Sequence, residues 1–444
     1  MNVNVPIPSD IEALLSAPVA VIGHGVSGQA IGGLVSRIGA SCEYYDAKSR
    51  SAAHEFDEAA ASKHRLVVFS PGFEIDHPWL ETARKAGCAV MGEMEFGARF
   101  WKGSLYCVTG SNGKTTTTEL IVSALAATGR TAFAVGNIGR PLSDIALRPE
   151  CAGGIAVCET SSFQAESADK LRIDGLIWLN LYDNHLDRHG TMKAYFEAKW
   201  KLVERLRAPL LVVGESVARF AKEFGYVLPG SAKVITPESF TPWTMPHTSA
   251  YYVRKQAENL LLVRAFWAEL GLDTQILRKC AENLEPLPFR MNLLPGPDGI
   301  TFWNDSKATN YAACFGALAN FPDKVVWIGG GRNRGENPET LAAGLAPRVK
   351  VAILTGETAH ALRESLARKG VPVQCVPSLA DAVLAARHAA SPGDNVLFSP
   401  AHSSHDAYRD YTERGRHFES LVARLGDPAA RLPSSDSSNN SSVH

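Results

Sequence analysis

Lys114 and Thr115 stand near the end of the stretch TGSNGKTT, Thr109–Thr116, behind an apolar run and in front of a helical pattern. A lysine and a hydroxyl at that point suit phosphate chemistry. Gly110 and Gly113 let the backbone amides of Ser111 and Asn112 approach phosphate oxygens, and a helix N-terminus adds positive potential. Lys114 would neutralise phosphate charge, Thr115 would ligate Mg²⁺, and Thr116 extends the hydroxyl run. The loop is shorter than the common GxxxxGK[ST], because Val108 holds the place of the first glycine.

A carboxylate near such a loop is a natural Mg²⁺ ligand, and Glu159 ends the apolar run IAVCE ahead of TSSFQ. Side chains at the carboxyl ends of strands in an open α/β sheet point into the ligand crevice. Asn180, Asp183, His185 and Asp187 cluster after LIWLNL. Asn and Asp are also common turn residues, and His185 reads equally as a ligand or as a packing histidine. Lys199, in AYFEAKWKLVE, lies on a predicted amphipathic helix, where nothing in the pattern separates it from Lys201.

A second glycine loop, Gly23-His24-Gly25-Val26-Ser27-Gly28, follows VAVI, and Asp46 ends the next strand-like run, CEYYD. This is the dinucleotide fingerprint, with an acid about 20 residues on. Its physics suits any nucleotide diphosphate, and a purely structural turn is the plain alternative. Two further polar runs, NDSKATN (Asn304–Asn310) and SPAHSSHDAYRDYTERG (Ser399–Gly415), each follow a strand-like segment. Lys307, Thr309, Ser404 and Arg334 could hold an anionic substrate by charge-assisted hydrogen bonds. His402 and His405 have no further Cys or His at close spacing, so a metal centre is not expected there.

These residues need elements to position them. Three segments share one grammar, a β-branched run that turns at glycines and continues as a helical pattern: Pro18–Gly39, Ser104–Gly129 and the stretch from Lys324. Alternating strands and helices predict parallel sheets with helices on both faces, here in three α/β units, which suits 444 residues. The expected boundaries give domains at 1–101, 102–293 and 294–432, with PLPFRMNLLPGPDG, Pro286–Gly299, as a linker or hairpin and 433–444 as a disordered polar tail. Charge is balanced, 45 Lys+Arg against 46 Asp+Glu, which argues against a bulk nucleic-acid binder. No apolar run approaches membrane-span length, and Met1–Asp10 does not read as a secretory signal. The eight cysteines are scattered without a CxxC pair and read as reduced, mostly buried thiols of a cytoplasmic protein.

The motifs occur together in one order, and that combination resembles the Mur ligases, in their glutamate-adding branch. SPGF at Ser70, VTGSNGKTT, VGNIG, ETSSFQ, LNLYDNHLDRHG, AKWK, PLPFR, NDSKATN and SPAHSSHD carry the likeness over nearly the whole chain. The resemblance implies a Rossmann-like N-terminal domain for a UDP-sugar, a central P-loop-type ATPase domain and a Rossmann-like C-terminal domain for the amino acid. It implies an ATP-dependent ligase that adds glutamate, D-glutamate first, to UDP-N-acetylmuramoyl-L-alanine through an acyl phosphate, in peptidoglycan precursor synthesis. Lys114, Glu159, His185 and Lys199 would be catalytic. Gly110 to Thr116, Asn259, Arg290 and Asp305 would hold ATP. Thr115, Glu159, His185 and Lys199 would serve two Mg²⁺ ions, with Lys199 carbamylated by CO₂. Ser27, Asp46, Asn137, Ser161 and His185 would line the UDP-sugar site, and Lys307, Thr309, Ser404 and Tyr411 the glutamate site. A cytoplasmic monomer with small-molecule substrates is expected.

Two departures bear on substrate choice. The family has a His-Asn pair upstream of Asn259, where this chain has Lys255-Gln256. The amino-acid site carries Gly329-Gly330-Gly331-Arg332-Asn333-Arg334 and the His402/His405 pair. L-glutamate or another amino acid is therefore an alternative, as is a ligase like folylpolyglutamate synthase, and a non-catalytic nucleotide sensor is the alternative of a different class.

Overall fold

A computed structural model of the chain describes residues 7–426 apart from 240, 247 and 253; the expected tail at 433–444 lies outside them. The chain divides into two compact units, residues 1–285 and 286–444. The first unit holds two sheets and the second holds one.

The N-terminal sheet is built from β1 (Val19–Ile22), β2 (Cys42–Tyr45), β3 (Leu66–Phe69) and β4 (Ala89–Gly92), in the order β2-β1-β3-β4. All its pairs are parallel. The central sheet uses β5 (Ser104–Thr109), β6 (Ala132–Gly136), β7 (Ile155–Glu159), β8 (Gly175–Trp178), β9 (Leu211–Gly214) and β10 (Lys233–Ile235). Its order is β10-β9-β8-β5-β7-β6, again all parallel. Parallel strands covered on both faces read as continuous apolar runs, and VAVI, LVVF and GLIW are buried at every residue.

In the second unit, β11 (Asn292–Pro295), β12 (Thr301–Asn304), β13 (Val325–Gly330), β14 (Val349–Leu354), β15 (Val373–Cys375) and β16 (Asn395–Ala401) are ordered β11-β12-β16-β13-β14-β15. Only the β11–β12 pair is antiparallel. It forms the hairpin anticipated in the proline-rich stretch, turning through Pro297–Gly299. The expected boundary after residue 293 falls inside β11. Phe289, just ahead of it, packs with the same unit: its carbonyl accepts from Lys307 N–H, and its ring lies against Gly415.

Ligands of open α/β sheets bind where the strand order reverses, beyond the carboxyl ends of the strands. In the N-terminal sheet the reversal lies between β1 and β3, at Gly23 and Ser70. In the central sheet it lies at β5, flanked by β7 and β8, which places Gly110, Glu159 and Asn180 on one rim. In the third, β16 inserts between β12 and β13, so Asp305, Gly331 and His402 follow three neighbouring strands.

All eight cysteines are free thiols, five of them buried and three intermediate. Among the described residues no helix is long and apolar enough to cross a membrane.

Candidate active site

The loop after β5 has backbone only glycine adopts easily, with φ of 150° at Gly110 and 86° at Gly113. The helix Lys114–Ala127 starts there, so its first amides face the loop. Three asparagines hold this shape. Asn180 Oδ1 accepts from Asn112 N–H (2.9 Å), and its Nδ2 donates to the Asn112 carbonyl (3.0 Å). Asn180 Nδ2 also reaches Asn259 Oδ1 at 3.3 Å. A Cβ on Gly113 would stand 2.0 Å from Asn259 Nδ2, so Asn259 packs directly on the loop. Asn259 in turn donates to Gln256 Oε1 at 3.1 Å, which gives the departure at 256 a role beside the loop. Ser111 Oγ donates to the Tyr182 carbonyl, and Lys114 Nζ folds back onto the Gly110 carbonyl at 2.8 Å. Thr116 is buried, and its carbonyl accepts from Tyr251 Oη.

Glu159 is 2% exposed. Its Oε1 accepts from Asn137 Nδ2 at 2.8 Å, while its Oε2 is buried with no hydrogen-bond partner. Asn137 N–H also donates to the Glu159 carbonyl at 2.8 Å. Native structures rarely leave a buried carboxylate oxygen unpaired, because the loss of hydration is uncompensated. A divalent cation would satisfy it. Among the described residues no three His, Cys, Asp or Glu side chains gather to hold a metal. That fits Mg²⁺, which is commonly bound by one or two protein oxygens plus substrate phosphates.

Lys199 is 1% exposed, whereas Lys201, two positions along the helix Met192–Glu204, reaches out to the Glu166 carbonyl. Lys199 Nζ donates to Thr109 Oγ1 at 3.0 Å and lies 5.1 Å from the Tyr195 ring centroid. Burial pushes its amine well below the usual lysine range, and the charge of Lys114 pushes the same way while Glu159 opposes. The amine is therefore neutral far more readily than a surface lysine. A neutral amine is a nucleophile, and CO₂ is an electrophile it can trap.

His185 has left-handed backbone, φ 56°, at the start of the short helix Leu186–His189, and its ring meets Phe163 edge-on at 5.0 Å. Ser161 caps the helix Ser162–Glu166 in a reciprocal box with Gln164. Asp183 is exposed, whereas Asn180 is buried. Sequence reasoning had missed Tyr195 as part of this site, and had set neither Thr109 on Lys199 nor Asn180 on the phosphate loop. A buried Asn directly after a strand was the one available signal.

In the N-terminal sheet Asp46 Oδ2 accepts from His24 N–H (2.8 Å) and Oδ1 from Lys48 N–H (2.9 Å), which holds the carboxylate below its ordinary range. Asp46 thus fixes the glycine loop from β2. The His24 ring packs on Tyr44 with centroids 4.5 Å apart, and its Nδ1 meets Ser49 Oγ at 2.8 Å. Gly28 has no room for a Cβ, which would lie 1.9 Å from the Gly23 carbonyl oxygen. Ser27 sits half-buried in the first turn of the helix Val26–Arg37.

The second unit gathers the remaining predicted residues. Lys307 Nζ lies 3.9 Å from the Tyr411 ring centroid. Arg290 acts electrostatically on Asp305, which is buried and accepts from Ser399 Oγ at 2.8 Å. Burial raises the Asp305 carboxyl to about 7 despite that bond and the nearby cations. Buried Arg414 bonds the Ser306 Oγ and carbonyl and the His402 carbonyl, which ties the loops bearing Lys307 and Ser404 together. Ser404 is buried, and Thr309 is half-buried. His402 is buried and held neutral, its pKa lowered to about 4 by desolvation, while His405 is exposed. The two histidines form no centre. Arg334 Nη2 donates to Ser403 Oγ at 3.1 Å, beside Ser404.

Residues 108–226 match the family described as the Mur ligase middle domain, and residues 289–402 match the Mur ligase glutamate ligase domain. A protein of Symbiobacterium thermophilum named UDP-N-acetylmuramoylalanine--D-glutamate ligase is 33% identical, over 93% of this chain and 99% of its own length. One of the same name from Geobacter metallireducens is 32% identical, over 92% of this chain and 97% of its own. MurF from Acinetobacter baumannii shares the fold with a TM-score of 0.59 at 16% identity, covering 91% of this chain and 93% of that one. The Thermotoga maritima MurF ligase, solved with ADP, gives 0.57 at 17%, covering 86% and 94%.

Proposed function

The chain belongs to the Mur ligase family, and on that premise we propose that it joins glutamate to UDP-N-acetylmuramoyl-L-alanine with hydrolysis of ATP to ADP and phosphate, in the synthesis of peptidoglycan precursors. The observation that carries this reading is the convergence at the carboxyl ends of β5 and β7. A phosphate loop, a carboxylate with one oxygen unpaired and a buried, deprotonation-prone lysine meet on one rim.

The substrate's alanyl carboxylate attacks the γ-phosphorus of ATP, ADP leaves, and an acyl phosphate forms. The glutamate amine then attacks that carbonyl, a proton is lost, and phosphate departs. Lys114 and the amides of the Gly110–Gly113 loop hold the phosphates in line for the first displacement. Mg²⁺, when bound, neutralises charge on the transferring phosphate. Thr115, Glu159, His185 and Lys199 are the residues assigned to the two ions. Lys199 suits this role only after its neutral amine adds CO₂ and loses a proton, which replaces a cation by a carboxylate-like oxygen donor.

Ser27 and Asp46 hold the uridine end, Asn137 and Ser161 the muramoyl end, and Asn259, Arg290 and Asp305 the nucleotide. Lys307, Thr309, Ser404 and Tyr411 bind glutamate. A second reading, transfer of L-glutamate, has one specific support. The amino-acid site pairs Arg334 with Ser403 beside the substrate serine, where the pattern departs from the family. A cytoplasmic setting follows from the use of ATP.

The test is incubation with ATP, Mg²⁺, UDP-N-acetylmuramoyl-L-alanine and each glutamate enantiomer, following phosphate release and product mass. Amide product with D-glutamate is expected. Product with L-glutamate alone transfers the proposal to the second reading, and no product with either overturns both.

A further inference from the structure

A chain of contacts links the helix that follows the first glycine loop to Glu159, at the end of β7. The helix Val26–Arg37 begins at the diphosphate loop, with Gly25 as its N-cap, and ends at Arg37. Arg37 Nη2 donates to the carbonyls of Ser143 (2.5 Å) and Asp144 (3.2 Å). Both belong to the short helix Leu142–Ile145. The start of that helix is gripped by Glu93, which follows β4. Glu93 Oε1 accepts from Ser143 N–H at 2.7 Å, and Ser143 Oγ donates to the Glu93 carbonyl at 3.1 Å. A Cβ on neighbouring Gly97 would lie 2.6 Å from Ser143 N, so the contact is close.

From Leu142 the chain leads back through a tight loop to the end of β6. Gly136 N–H donates to the Arg140 carbonyl at 3.0 Å, and Gly136 and Gly139 take φ of 97° and 66°. At the head of this loop Asn137 holds Glu159 by backbone and side chain. A continuous path of covalent chain and hydrogen bonds thus runs from Gly25 to Glu159 Oε1.

The arrangement is not the cheapest way to close a gap. Arg37 Nε is buried without a hydrogen-bond partner. Arg140 and Arg148 also converge on Asp144, at 2.5 and 2.6 Å. Three guanidinium groups around one short helix oppose one another, and an unpaired buried donor is unfavourable in itself. An apolar helix end would pack there without that cost.

We propose that Arg37 is a positioning residue that couples binding of the sugar nucleotide at Gly25–Gly28 to the setting of Glu159, through Ser143, Asp144 and Asn137. The proposal rests on the ligase reading of the two sites. Arg37 touches neither ligand. Its guanidinium fixes the short helix, and that helix fixes where Asn137 holds the carboxylate. Coupling of this kind is reciprocal, so each ligand tightens the other by the same factor.

The test titrates the full chain calorimetrically with Mg²⁺·ADP, with and without UDP-N-acetylmuramoyl-L-alanine. Wild type, Arg37→Met and Arg37→Lys are compared. In wild type the sugar nucleotide should tighten Mg²⁺·ADP about fivefold or more, the lower end of ordinary allosteric coupling. Arg37→Met should bring that factor close to one while each ligand still binds alone, and Arg37→Lys should recover part of it. In turnover, kcat should fall in Arg37→Met with KM for glutamate unchanged. Full coupling in Arg37→Met, or none in wild type, overturns the proposal. If Arg37→Met does not fold, Arg37→Gln decides: its shorter, uncharged amide cannot reproduce the charge-assisted bonds of Nη2 to both carbonyls, so full coupling there overturns it as well. Coupling that is lost in the variant while wild type forms no amide refutes the ligase reading and leaves the relay standing.

Discussion

A lysine amine enclosed by Thr109, Tyr195 and the field of Lys114 gives up its proton early, and only the neutral amine can add CO₂. Activity should therefore rise with pH through the lowered amine pKa and rise with bicarbonate at fixed pH, measured as initial rates. Lys199→Arg keeps the charge but cannot carry a carbamate, and should lose about a hundredfold or more in kcat, the scale of losing one charge-stabilising group. Asp305 offers a second residue-scale check. Its pKa is raised to about 7 in the folded state, above the ordinary carboxylate value, so the folded state favours the protonated form. Its contribution to stability is fully present below the unfolded pKa and fades as pH rises through about 7. Relative to Asp305→Asn, wild type should lose stability on the order of a few kcal/mol between the two pKa values and then level off. Urea midpoints across that range read the difference. The choice between Lys199 and Lys201 was not legible in the helical pattern and came from the resemblance alone. Two residues apart on a helix point to nearly opposite sides, but a charged residue reads as solvated until its surroundings are known.

At the scale of elements the reading went further. The β-branched runs and glycine turns were enough to read parallel sheets with alternating helices and to find several of their strands, because period and punctuation are local signals. The bracing of the phosphate loop was invisible, since Asn180 and Asn259 reach it from β8's end and from a later helix, and such contacts leave no local trace. The same holds for Arg37 and Glu93, whose partners in Leu142–Ile145 lie far along the chain. Gly113 tests the brace. Gly113→Ala would force a side chain into left-handed backbone at φ 86° and bring Cβ to 2.0 Å from Asn259 Nδ2. The strain should cost about 1–3 kcal/mol of stability. Nucleotide affinity should fall tenfold or more, since about 1.4 kcal/mol is a factor of ten. Thermal melts and ADP titration measure the two effects, and Asn259→Ala in the same background should relieve part of the strain.

For the molecule as a whole, near-neutral charge is compatible with the anionic substrates proposed, because a few cations such as Lys114 are placed beside the loops that would hold them. The glycine loops proposed for the phosphates and the sugar nucleotide lie in residues 1–285, and the residues proposed for the amino acid, with Arg290 and Asp305, lie in 286–444. The buried Oε2 of Glu159, which has no hydrogen-bond partner, ties the stability of the fold to cation binding. Ligands that bind only the folded state raise its stability, by about 2.7 kcal/mol at a hundred times Kd. Wild type should gain that much from Mg²⁺·ADP, while Glu159→Gln should melt as high as wild type or higher when empty and gain less than half as much, read by calorimetric melting with and without ligand. The heat resistance of the folded chain would then report how much nucleotide is bound, with much of the response resting on one carboxylate.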